Sequence, residues 1–187
     1  HRADYYTVAV RTGDAGYGGI SLLLIERERA GFSVGQPLKK MGWWASDTAE
    51  LYFNDVLVPK SNLNGVENAG FFVIMSNFQK ERLNLAVMAN MTSQLALEES
   101  VRYAQQREAF GKPLSKMQVI RHKLANMATE LEASKEFTYR VAAQIADGIP
   151  AVKEVSMAKN FATQVSDKLT YEAVQIFGGM GFMRESL

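Results

Sequence analysis

Cysteine is absent from this 187-residue chain. That excludes disulfides, thiol nucleophiles and thiolate metal sites, and it fits a reducing compartment. Histidine occurs only at His1 and His122. Val119, not Glu, stands three residues before His122, so the Glu-x-x-His signature of di-iron helical bundles is missing. No metal centre is expected. The chain is 47% hydrophobic, yet no uninterrupted apolar run approaches the roughly 18 residues of a membrane span. A soluble protein with no membrane span is expected. A dominant charge is lacking too: 21 Lys and Arg face 20 Asp and Glu, for a net +1. That balance argues against bulk attraction to nucleic acid or an anionic membrane. The chain starts at His1 without a Met, and no signal peptide is expected. Both ends are expected to be cut from a longer polypeptide.

What is present divides in two. Residues 1–60 read as a partial β domain, with strands at Tyr5 to Arg11, Ile20 to Glu26, Phe32 to Pro37 and Glu50 to Val58. These segments are short, mostly rich in Val, Ile, Leu, Tyr and Phe, and separated by Gly, Asp and charged residues. The glycine-rich run 12–19 lacks the Lys-Ser/Thr ending of a phosphate loop and a following helix, so it reads as a hairpin connection. Ser46, Asp47 and Thr48 read as a turn held by side-chain hydrogen bonds. Trp43 and Trp44 can face a ring ligand, but core packing is the expectation.

Pro59 to Gly65 reads as a linker, and 61–187 as a C-terminal helical bundle lacking its last helix. The first helix is predicted from Asn68 or Ala69 to Gln106, where Gly111 and Pro113 then break the pattern. Ser115 is the predicted N-cap of a second helix reaching Asp147, with Ile120, Leu124, Met127 and Leu131 on its core face. Gly148 and Pro150 end it. A third helix is predicted from Ala151 to Phe177, with Val155, Ala158, Ala162, Val165, Leu169, Ala173 and Ile176 on one side. The fold class is therefore α+β: a small antiparallel β sandwich or barrel portion followed by an up-down bundle of long helices.

Glu81 is the most informative single residue. Ile74, Phe78, Leu85 and Met88 recur at helical spacing, and Glu81 falls on their stripe. A carboxylate there is expected to be partly desolvated, which favours a proton acceptor. The other reading is a Glu at the stripe's edge reaching water or a neighbouring helix. Arg82 is adjacent but faces elsewhere. Gly178, Gly179 and Gly181 read either as a helix C-cap or as backbone that approaches a phosphate. Arg107 offers a planar fork for phosphate and Phe110 a ring for stacking. A solvated charge and a core aromatic are the alternatives.

Four segments, in order, resemble the acyl-CoA dehydrogenase family of flavoproteins: Met41 to Pro59, Phe78 to Leu83, Gln106 to Leu114 followed by Gln118, and Gln175 to Phe182. The likeness runs from the middle of the family's β domain through most of its C-terminal helical domain. It implies an FAD cofactor, with Arg107, Phe110, Met117, Gln118, Gln175, Gly178 and Gly179 reaching the FAD of a neighbouring subunit in a homo-oligomer, a dimer of dimers. It implies contact of Gln79 and Arg82 with the CoA part of an acyl-CoA. The alternative for Arg82 is a structural ion pair.

Relative to the family, the amino-terminal helical domain, the β segment before His1 and the last helix with its preceding loop are missing. That loop carries the catalytic glutamate in much of the family. A smaller subgroup, including isovaleryl- and long-chain-type members, places the base at the position of Glu81. The resemblance thus implies removal of an α-proton by Glu81, hydride transfer from the β-carbon to flavin N5, a trans-2-enoyl-CoA product, and electron-transfer flavoprotein as partner. A bacterial cytoplasm or mitochondrial matrix is the expected location. The rivals are another flavoenzyme on the same scaffold, of monooxygenase or nitroalkane oxidase type, and an inactive oligomerising fragment. The 187-residue chain by itself is expected to self-associate and to have little dehydrogenase activity.

Overall fold

The computed structural model describes residues 1–185. Four strands come first: β1 (Tyr5–Arg11), β2 (Ile20–Glu26), β3 (Phe32–Pro37) and β4 (Ala49–Phe53). A helix α1 (Gly70–Gln106) follows, then a two-residue-by-two-residue hairpin of β5 (Glu108–Ala109) and β6 (Lys112–Pro113), then α2 (Gln118–Ala146) and α3 (Val152–Phe177). The expected fold is present: antiparallel β structure followed by long up-down helices. The chain forms two compact units, His1–Ser76 and Asn77–Leu187, so the division falls inside α1.

In the first unit β1 pairs with β2 and β3 with β4, both antiparallel. Leu22, Ile25 and Phe32 are buried, and Phe32 meets Tyr6 edge-on at 4.9 Å and Phe53 at 5.0 Å. β4 stops at Phe53, five residues short of the predicted Val58. Asp55 takes a left-handed φ of 51°, and that conformation ends an extended run. The start of α1 is tied to β2. Asn68 N–H donates to Ser21 Oγ at 2.7 Å, and Phe71 stacks on Tyr17 at 4.4 Å. Glu26 is clamped by Arg29, whose Nη2 donates to Oε1 at 3.0 Å and whose Nε also donates to the carboxylate. Asn62 Nδ2 adds a bond at 3.1 Å. The Arg29 bonds foremost, helped by backbone N–H and Asn62, lower the Glu26 pKa to about 2.

The loop between β3 and β4 corrects one expectation. Trp43 and Trp44 are 65% and 71% exposed, so neither packs into the core. Trp44 Nε1 donates to the carbonyls of Lys40 and Met41, both at 3.1 Å, which holds the loop on itself.

In the second unit all seven apolar positions predicted for α3 are buried. Val165, Leu169, Ala173 and Ile176 pack with Met127 and Leu131 of α2, with Ile120 and Leu124 half-buried against the same cluster, and Val155 and Ala158 pack with Val141 and Ala151. Lys123 pairs with Glu172 and Lys168 with Glu130, so α2 and α3 run antiparallel. Asn90 joins α1 to α2: its Nδ2 donates to Thr138 Oγ1 at 2.9 Å, and Ser134 Oγ donates to its Oδ1 at 2.5 Å. All three residues are buried, and each polar group is matched, which pins the register of the two helices.

Two helix-level expectations fail. Ser115 is not the N-cap of α2; it lies in a short 3-10 turn, and Met117 precedes the helix with no side-chain cap. A backbone bond closes this turn instead, from Met117 N–H to the Leu114 carbonyl at 2.9 Å. The larger correction concerns α1. Phe78, Leu85 and Met88 are 43%, 39% and 39% exposed, while Ala86, Asn90, Ser93, Ser100 and Ala104 are buried. The packed face lies roughly 120° round the helix from the predicted stripe. Its small side chains let α1 come close to its neighbours, and Ser93 and Ser100 satisfy their hydroxyls on carbonyls four residues back.

Candidate active site and cofactor cradle

The site residues expected from sequence fall into two groups. The first lies at the end of the helical unit where α1 and α3 finish and α2 begins. Arg107 follows α1 directly, with its N–H on the Tyr103 carbonyl at 2.8 Å, and its own carbonyl accepts Leu114 N–H at 2.9 Å. Its side chain is exposed and its guanidinium has no partner among the described residues.

Between Arg107 and Leu114, β5 and β6 form a hairpin, Glu108 opposite Pro113 and Ala109 opposite Lys112. Its two-residue turn is Phe110-Gly111, with φ of 55° and 77°. Both positive values match a type I′ turn, which favours Asn-Gly or Gly-Gly. A phenylalanine in this left-handed region is strained. Its ring gains little in exchange among the described residues, being 94% exposed.

Met117 is half-buried at the start of α2 and Gln118 is exposed on its first turn. Gln118 lines an open groove of about 540 Å³ with Lys116, Arg121, His122 and Ala125. Gln175 is exposed near the end of α3. Gly178 then turns the chain with φ 60° and donates its N–H to Gln175 and Val174 carbonyls. Among the described residues a Cβ on Gly178 or Gly179 would meet nothing within 4 Å, whereas one on Gly181 would lie 2.8 Å from Val174 O. The turn therefore folds back on α3 at Gly181 and leaves the backbone at 178–179 open to an incoming group. Tyr103 ties the two arms of this end together: its ring stacks on Phe177 at 4.3 Å and 13°. Sequence reasoning missed Tyr103, although its spacing of four from Arg107 was a usable signal.

The second group lies on α1. Glu81 is exposed and accepts a hydrogen bond from Asn77 Nδ2 at 3.3 Å. The expected desolvation is not seen, because the apolar stripe that was to supply it faces outward. Arg82 is half-buried and forms no ion pair among the described residues. Its guanidinium carbon lies 5.9 Å from the Phe78 ring centroid, within cation–π reach. Gln79 Oε1 is buried without a hydrogen-bond partner among the described residues, an arrangement that costs about 1–3 kcal/mol until a donor reaches it.

The two groups are far apart. Twenty-two residues of continuous helix separate Glu81 from Tyr103, about 33 Å at a rise of 1.5 Å per residue. The side chains at the far end suit an anionic, flat-ringed cofactor: a free guanidinium fork, an outward aromatic ring and an unobstructed glycine backbone.

These features fall on a known scaffold. Residues 68–187 match the family model described as the C-terminal domain of acyl-CoA dehydrogenase, and the chain belongs to the acyl-CoA dehydrogenase family. It is 41% identical over 181 residues to an acyl-CoA dehydrogenase from Bacillus subtilis (strain 168), covering 97% of this chain and 48% of that protein. A crystal structure of a probable acyl-CoA dehydrogenase from Mycobacterium abscessus superposes with a TM-score of 0.96 at 54% identity, over 99% of this chain and 49% of that one. The structure of PigA with FAD and proline is similar at 26% identity and a TM-score of 0.94, over 98% of this chain and 48% of that one. The chain spans about half the length of the curated relatives it matches.

Proposed function

We propose that the protein to which this chain belongs is an FAD-dependent acyl-CoA dehydrogenase that converts an acyl-CoA thioester to the trans-2-enoyl-CoA. Phe110 carries this reading. A large ring held in a strained turn, 94% exposed, is a ring kept for a partner outside its own chain. Arg107 stands beside it with a free fork for a pyrophosphate oxygen. Gln175, Gly178 and Gly179 offer a polar side chain and open backbone from the end of α3, and Met117 and Gln118 border the start of α2. The flavin, when bound, supplies the acceptor for the hydride that leaves the β-carbon.

Glu81 is the proposed base. One carboxylate oxygen is held by Asn77; the carboxylate takes the proton from the carbon next to the thioester carbonyl. Arg82 and Gln79 hold the CoA portion, and the orphaned Gln79 Oε1 supports a donor arriving from outside the described contacts. The separation of about 33 Å along α1 supports one further element: the cradle of one subunit serves the FAD next to another subunit's Glu81, in a homo-oligomer built as a dimer of dimers. Electron-transfer flavoprotein is the proposed electron acceptor.

The test is anaerobic addition of acyl-CoA to the whole flavoprotein. Bleaching of the flavin band, with enoyl-CoA as product and no oxygen requirement, is the expected result. Substrate-dependent oxygen consumption without enoyl-CoA would favour the oxidase or monooxygenase alternative.

A further inference from the structure

Tyr103 is not among the residues assigned to the cofactor, yet both arms of the cradle meet on it. Its carbonyl accepts the N–H of Arg107 at 2.8 Å. Its ring lies nearly parallel to Phe177, 4.3 Å between centroids and 13° between planes. Its hydroxyl donates to the Phe177 carbonyl at 3.4 Å. Phe177 is the residue before Gly178, where the chain leaves α3 with a left-handed φ. The turn that follows is pressed onto α3 at Gly181, against Val174. The Gly178–Gly179 backbone is thus anchored on both sides, at Phe177 by Tyr103 and at Gly181 by α3.

We propose that Tyr103 is a positioning residue that holds the Arg107 arm and the Gly178–Gly179 arm in fixed register, so that both reach one cofactor. This inference rests on the flavin reading above. The chemistry of the pair explains the residue type. A branched aliphatic side chain would fill the same half-buried volume but would leave the orientation of the Phe177 ring unset. A flat ring stacked on a flat ring sets it. The connection to Arg107 runs through the backbone, so the position of the helix end, read by Tyr103, becomes the position of the guanidinium.

The experiment measures the FAD dissociation constant of the whole apo-protein by quenching of flavin fluorescence, in a cycle of variants. Tyr103→Leu is expected to weaken FAD binding about three- to tenfold, because without the stack the cradle must be re-ordered on binding and that cost is bounded by the worth of the stack. Tyr103→Phe keeps the stack and loses only a long hydrogen bond, so it stays within about twofold of the parent. In an Arg107→Ala background the same Tyr103→Leu change should cost less than in the parent, about twofold or threefold, because register with the Arg107 arm no longer contributes and only the Gly178–Gly179 arm is left to misplace. Equal fold losses in both backgrounds would mark general destabilisation and overturn the proposal, as would unchanged affinity in Tyr103→Leu. Should that variant fail to fold, Tyr103→Met keeps apolar bulk without the flat ring and carries the same expectations. Failure of the flavin reading looks different: Arg107→Ala alone would leave FAD affinity untouched, and this inference would fall with it.

Discussion

Replacing Phe110 by Asn should stabilise the apo-protein while weakening its hold on FAD. Phe110 sits at φ 55°, where a non-glycine residue costs roughly 1–2 kcal/mol. Asn tolerates that region, and Phe110→Asn places before Gly111 the Asn-Gly pair that type I′ turns prefer. Little packing is lost, because the ring is 94% exposed. The covered remainder is about 12 Å² of a side chain of about 200 Å², worth about 0.3 kcal/mol at about 25 cal/mol per Å². The balance is a gain of about 0.5–1.5 kcal/mol. Denaturant unfolding of the apo-protein reads the gain as a higher midpoint at unchanged slope. Flavin fluorescence reads the loss of affinity. A destabilised apo-protein would show that the ring is packed against something in solution, and unchanged FAD affinity would remove Phe110 from the cradle.

Other outcomes follow from the same contacts. Glu26 has its pKa lowered from 4.5 to about 2, so its contribution to stability is full above about 4.5 and is lost as pH falls toward 2; Glu26→Gln should flatten that part of an acid-unfolding curve. Leu169 is fully buried among Met127, Leu131, Val165 and Ile176, and Leu169→Ala should cost about 2–5 kcal/mol in denaturant unfolding. The 187-residue chain by itself exposes Val87, Met91 and Leu95 on one side of α1. Such a face is expected to drive self-association, and a stable monomer in sedimentation would contradict that.

The sequence was most legible where side chains were large and periodic. The stripe on α3 could be read position by position because Val155, Val165, Leu169 and Ile176, with Ala158, Ala162 and Ala173 between them, recur at helical spacing. α1 misled for the opposite reason. Its buried face is built from Ala86, Asn90, Ser93, Ser100 and Ala104, which carry little hydrophobic signal, while Phe78, Leu85 and Met88 lie on the outward face. Ser115 looked like a cap, but backbone bonds in the preceding 3-10 turn set where α2 begins. Cap chemistry is a local preference that tertiary connections override. Trp43 and Trp44 show that apolar residues are not always inside. At the candidate site, residue types and order were visible in the motifs. The left-handed Phe110 was not, since nothing in its chemistry favours that region. Nor was the Tyr103–Phe177 stack, which joins residues 74 positions apart.

The most direct test of the central claim is Glu81→Gln in the whole flavoprotein, assayed by anaerobic stopped-flow reduction of the flavin with acyl-CoA. The substitution keeps the side chain's size and its capacity to bond Asn77, and removes only the basic carboxylate. With FAD content unchanged, reduction should slow by at least about 100-fold, the lower range of what a general base contributes. Reduction at a near-normal rate would contradict the account and place the base elsewhere in the protein.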